Sequence, residues 1–205
     1  MSDKYFTITK TAKAETKVKG SKFISEAALV ADAADAREYL ESVRKREYDA
    51  THHCFAYQVG VGSNAEFKYS DDGEPNGSAG KPIHDCIAGR GLTNIIVVVT
   101  RYYGGTKLGT GGLVRAYSEA ALLALEKAGK TVNYITDSIR LTIEFSFYDK
   151  ILKLVEKLDA KQTGSDFSEK VTMTVQMRKS LTEQFEKEIT DITHGTVLIE
   201  KQKNA

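Results

Sequence analysis

The chain has 205 residues, 41% of them hydrophobic and 28% charged, with a formal net charge of +1. That length exceeds the commonest single-domain size of about 100–150 residues and favours two compact domains. A near-neutral total gives no global field for nucleic acid or a membrane surface, so any anionic partner must be held by a local patch.

Met1-Ser2-Asp3-Lys4 leads into mixed polar sequence without the apolar core of a signal peptide. Apolar runs such as Ile95–Val99 fall far short of the roughly 20 residues that span a bilayer. The two cysteines, Cys54 and Cys86, form no metal or disulfide spacing. These features predict a cytoplasmic protein with free thiols and no membrane contact.

Phe23–Val30 reads as a strand, and Asp32 and Asp35 are N-cap candidates for a helix through Arg46 with Leu40 and Val43 on its apolar stripe. His53–Val61 alternates as a second strand. The β-branched run Asn94–Thr100 predicts a strand buried on both faces. A helix is predicted over Leu113–Ala128, stopped by Gly129. Twelve of the 16 glycines and both prolines fall between Gly60 and Gly112, and the pattern then becomes regular, which sets a domain boundary near Lys130–Asp137. Beyond it come a strand with Ile139, Leu141, Ile143 and Phe145, a helix with Tyr148, Ile151, Val155 and Leu158, and strands at Lys161–Phe167 and Val171–Met177. A helix with Leu181, Phe185, Ile189 and Ile192 and a strand at Val197–Ile199 follow. The order β-α-β-β-α-β is that of a ferredoxin-like domain. The fold class is therefore α+β, with domains expected over 1–133 and 137–205.

Three constellations carry candidate chemistry. In the first, Arg101-Tyr102-Tyr103-Gly104-Gly105-Thr106-Lys107-Leu108-Gly109-Thr110-Gly111-Gly112 runs from a buried strand into a helix and on to Arg115. Glycines let a ligand reach the backbone, and a helix N-terminus offers unpaired N–H groups to a phosphate or carboxylate. Arg90, Arg101, Lys107 and Arg115 supply charge, and Tyr102 and Tyr103 supply stacking faces. The spacing is neither a Walker loop nor a dinucleotide fingerprint. The second, Ser70 to Pro82, holds Asp71, Asp72 and Glu74 among turn signals and reads as a structured loop rather than a metal site. Pairing of Asp71 or Glu74 with nearby arginines would serve structure and pocket shape together. The third is His52, His53, Cys54, His84, Asp85 and Cys86, which lacks zinc spacing, and adjacent strand residues cannot share one ion. No metal or cofactor is expected.

Tyr69–Pro82, Val97–Gly105 and Leu108–Tyr117, together with Lys19–Phe23 and His52–Tyr57, resemble the IMPACT proteins, in particular their two-domain bacterial YigZ-like branch. The resemblance implies an N-terminal domain like the second domain of ribosomal protein S5. It also implies a ferredoxin-like C-terminal domain similar to the last domain of elongation factor G. Both folds recur in translation proteins that touch RNA. The first functional reading is accordingly a translation-linked binding protein, not an enzyme, that contacts RNA or the ribosome through the glycine-rich segment. The alternative is an enzyme acting on a small phosphorylated or carboxylated ligand there, with Asp71, Glu74 and His53 as the catalytic set and Asp72 beside them. Separate Asp71→Asn and Arg101→Ala substitutions would discriminate, a binding protein tolerating the first far better.

Overall fold

A computed structural model describes residues 3–202, with the side chain of Gln202 left out. Met1 and Ser2, where the leader reading begins, and residues 203–205 of the expected second domain lie outside the described residues. The chain divides into one compact unit over Tyr5–Asn133 and a second built from Tyr134 onward together with the short stretch up to Lys4.

The first unit contains β1 (Lys4–Thr7) from Tyr5 on, β2 (Ala12–Val18), β3 (Ser21–Leu29), α1 (Ala33–Arg46), β4 (His52–Val59) and β5 (Glu66–Ser70). It continues through α2 (Gly80–Gly89), β6 (Ile95–Tyr102), α3 (Thr110–Ala128) and β7 (Thr131–Tyr134), which pairs with β1. Five strands form one sheet in the order β2-β3-β6-β4-β5, every neighbouring pair antiparallel. Ile95, Val97 and Val99 of β6 join the core under α2 and α3, whereas Ile96 and Val98 join the core under α1. The alternation of side chains along a strand therefore serves two layers of helix at once. The double burial expected of this strand is found, although the sheet around it is antiparallel.

Asp32 caps α1 by accepting from the N–H groups of Ala34 and Asp35 at 2.7 and 3.0 Å, the role expected of such a residue. Gly129 ends α3 with φ 71°, and α3 begins at Thr110, three residues earlier than the apolar spacing suggests. Asn94, read as the first residue of β6, instead has φ 56°. Its side-chain oxygen accepts the Gly60 N–H at 2.9 Å.

The second unit runs β8 (Thr136–Ile143), α4 (Tyr148–Lys157), β9 (Lys161–Phe167), β10 (Val171–Arg178), α5 (Thr182–Ile192) and β11 (Leu198–Gln202). Its antiparallel sheet has the order β11-β8-β10-β9. Ile139, Leu141, Ile143, Val171, Met173, Val175 and Met177 pack with Ile151, Val155, Phe185 and Ile189 of the helices. Phe145, expected to extend β8, lies in a short 3-10 turn over Phe145–Phe147 and is 52% exposed. No helix of the described residues is long and apolar enough to cross a membrane.

Candidate functional site

Asp71 follows directly on β5, and its carboxylate accepts from the backbone N–H groups of Gly77, Ala79 and Gly80 at 2.8, 2.9 and 2.8 Å. It thereby closes the N-terminus of α2, whose own N-cap residue, Ala79, has no side chain able to do so. Asp72, at φ 46°, accepts the His53 N–H at 2.7 Å and pairs with Arg44 at 3.0 Å. Both carboxylates thus bind the protein's own donors. Among the described residues no group of three or more His, Cys, Asp or Glu is arranged to hold a metal ion.

Glu74 goes inward. Its side chain is 4% exposed, and Oε1 receives the Arg101 guanidinium at 2.5 Å and the Tyr117 hydroxyl at 2.8 Å. The Cys54 thiol contacts the same hydroxyl at 3.3 Å and donates to the Asp71 carbonyl at 3.0 Å. Nε2 of His52 lies 3.9 Å from Glu74 Oε1. Ser21 Oγ accepts from Arg101 Nη2 at 3.2 Å and from the Gly104 N–H at 3.1 Å. Arg101 Nε is buried without a hydrogen-bond partner among the described residues. Burial pushes the Cys54 thiol well above its usual range and raises the Tyr117 phenol as well, helped by the neighbouring Cys54 and Glu74. Cys54 is therefore a protonated donor in the core and not an activated nucleophile.

Three expectations change here. The pairing of Glu74 with an arginine is found, but it removes Arg101 from the open basic face. His52, and not His53, stands beside Glu74. Residues 52 and 54 share the face carrying α2 and α3, while the His53 ring turns toward α1 and contacts the Glu47 carbonyl at 3.1 Å. Arg90 sits at the end of α2 and meets Glu126 at 3.3 Å. Glu126 is 16 residues beyond Thr110, about 24 Å along α3 at the usual rise per residue, so Arg90 does not reach the glycine segment.

The glycine segment itself is solvent-exposed from Tyr103 to Lys107. Tyr102 is fixed by donation to Glu47 and Asp49 at 2.7 and 3.1 Å, with Lys22 lying 4.3 Å from its ring centroid. Tyr103 remains 48% exposed, and its N–H donates to Thr51 at 3.1 Å. Gly104 crosses the Lys19-Gly20 turn so closely that a Cβ on it would come within 1.9 Å of the Gly20 carbonyl carbon. Gly105 and Gly109 have φ of 82° and 74°, in the left-handed region. Gly111 differs: its φ is not left-handed and a Cβ there would meet nothing within 4 Å. No side chain caps α3 at Gly109. Lys107 and Arg115, both exposed, flank the start of that helix in sequence.

Sequence reasoning did not find α2, because its cap comes from Asp71 and not from the residue before the helix. Pro82 in the first turn, followed by Ile83 and Ile87 one turn apart, was the available signal. It also passed over Ser21 and Tyr117 as members of the buried cluster.

The Impact N-terminal domain matches residues 19–125, and a domain of unknown function (DUF1949) matches residues 141–196. The chain is 30% identical to the IMPACT family member YvyE of Bacillus subtilis, over 95% of this chain and 89% of that protein. It is 34% identical to the IMPACT family member YigZ of Escherichia coli, over 88% of this chain and 89% of that protein. A solved structure described as a hypothetical protein superposes with a TM-score of 0.71 at 30% identity, with both chains fully covered. With the first unit matched almost throughout and both relatives spanned nearly end to end, the chain belongs to the IMPACT family.

Proposed function

We propose that this chain is a translation-linked, cytoplasmic binding protein that contacts RNA or the ribosome at the start of α3. In this reading the first unit is an S5 domain 2-like domain and the second a ferredoxin-like domain, and the glycine segment is the contact. One observation carries the proposal. The N-terminus of α2 is closed by the Asp71 carboxylate, whereas α3 starts on Gly109 without a side-chain cap. Free N–H groups and the positive end of a helix dipole favour a phosphate there. Gly111 supports this, since a glycine inside a helix costs up to about 1 kcal/mol relative to alanine and neither its φ nor its surroundings require one.

The contact is narrow. Lys107 and Arg115 are its cations and Tyr103 its one open aromatic face, Arg90 and Arg101 being engaged elsewhere. Two phosphate contacts predict a slope of roughly −2 in log affinity against log salt. Co-sedimentation with ribosomes from lysate at low and moderate salt tests the reading. Wild-type protein should travel with ribosomes at low salt and be released as salt rises, and Lys107→Glu with Arg115→Glu should remove it at both. Association that ignores salt and both substitutions would sink the proposal. The same N–H groups suit the phosphate of a small ligand, the alternative reading; inorganic phosphate competing at millimolar concentration would favour it.

A further inference from the structure

The outer edge of the first unit's sheet is β5, which the proposed contact does not use. Phe67 is 57% and Tyr69 41% exposed. Their rings are nearly parallel, 11° apart with centroids 6.5 Å apart. His84 of α2 backs them, 4.5 Å from Phe67 and 5.9 Å from Tyr69, so the sides turned away from α2 are open. The opposite edge, β2, alternates Lys13, Glu15 and Lys17 along its length, a charged guard against strand addition. β5 carries charges on the same face, Glu66 and Lys68, and differs from β2 on the other, where Phe67 and Tyr69 stand in place of Ala14 and Thr16.

The charges around the aromatic pair balance. Glu66 and Lys68 flank Phe67 in the strand, and on α2 Lys81 pairs with Asp85 at 2.6 Å. A neutral surround gives a phosphate backbone nothing to hold, which disfavours a nucleic acid as the occupant. One carboxylate and one ammonium placed symmetrically about Phe67 fit a two-fold partner instead.

We propose that β5 is a self-association edge, pairing antiparallel with β5 of a second copy in the register that sets Phe67 opposite its counterpart. Glu66 then faces Lys68 of the other copy twice over, and the four aromatic rings form one continuous row on the α2 side. Shifting the centre to Lys68 would oppose two lysines, so the strand's own charge selects the register. A five-residue strand buries less than the roughly 1,200 Å² of a standard interface, which places the pairing among weak, concentration-dependent contacts.

Sedimentation velocity of the full chain between about 0.01 and 1 mM, where a weak dimer would form, tests the proposal. Wild type should pass from monomer to dimer, and Phe67→Ser should stay monomeric. Glu66→Lys and Lys68→Glu should each weaken the dimer about tenfold, and the two together should restore it to within about threefold of wild type. Because Phe67, Glu66 and Lys68 are exposed, circular dichroism should show the same fold in every variant, Glu66→Lys giving up only the Tyr57 hydroxyl bond at 3.0 Å. A monomer at all concentrations, a dimer that survives Phe67→Ser, or a double variant as weak as the singles would each overturn it. So would a monomer that binds a single-stranded oligonucleotide with an affinity lost on Phe67→Ser.

Discussion

At the scale of residues, the buried cluster around Glu74 decides what several side chains can do. An ion pair taken out of water is tolerated only when both charges are matched. Here Glu74 has Arg101 and the Tyr117 hydroxyl, while Arg101 has Glu74 and Ser21. Removing one partner leaves a buried charge alone, so Arg101→Met should cost about 3–5 kcal/mol in urea unfolding. Joint replacement of Glu74 and Arg101 by apolar residues should cost less than the sum of the two single changes. The raised Cys54 thiol and Tyr117 phenol favour their neutral forms in the folded state. That stabilisation is complete below the unfolded-state values, about 8.5 for cysteine and 10 for tyrosine, and declines as pH rises past them. Stability should therefore be level near pH 8 and fall above about pH 9, with a profile flat to pH 11 counting against this. Little of this was legible in sequence. Pairing of Glu74 with an arginine could be guessed from their chemistry. The choice of His52 over His53 depended on which face of β4 meets α2 and α3, which is a property of the sheet and not of the dipeptide.

At the scale of elements, two helix starts behave differently. Asp71→Ala opens the N-terminus of α2 by taking away a carboxylate that holds three N–H groups, and should lower stability by about 2 kcal/mol or more. The paired Asp71→Asn and Arg101→Ala test therefore does not separate a binder from an enzyme, since both changes strike the fold. Gly111→Ala separates structure from function better. With open space around its Cβ, it should leave stability unchanged or raise it by up to about 1 kcal/mol. If the N–H groups of α3 take a phosphate, it should also weaken ribosome co-sedimentation. Gly104→Ala should fail to fold or unfold easily, because its Cβ would overlap the Gly20 backbone. Helices and strands with their own periodicity were readable, as α1, β6, α3, α4 and α5 illustrate. The missed elements were short or bordered by partners distant in sequence. The edge strands β2 and β5 bury little, and α2 takes its cap from another loop.

At the scale of the whole molecule, the hydrophobic core of the second unit is a cluster separate from the two of the first. Phe185→Ala should destabilise the second unit by about 3–5 kcal/mol, read as faster hydrogen exchange along β8 and β10. The domain-like organisation came through in sequence because glycine and proline crowd into the first part while the second keeps clean alternation. The proposed contact was less legible, because the missing side-chain cap at Gly109 is a feature of placement and not of glycine spacing. The meeting of Ser21 with Arg101 and Gly104, partners 80 and 83 residues apart, also sets an order of events. Local hairpins such as β2–β3 close quickly, whereas joining β3 to β6 requires a long loop to close before any contact rewards it. The glycine segment cannot be seated until that happens, so the binding proposed for it should emerge with the slowest phase of refolding, after most secondary structure is in place.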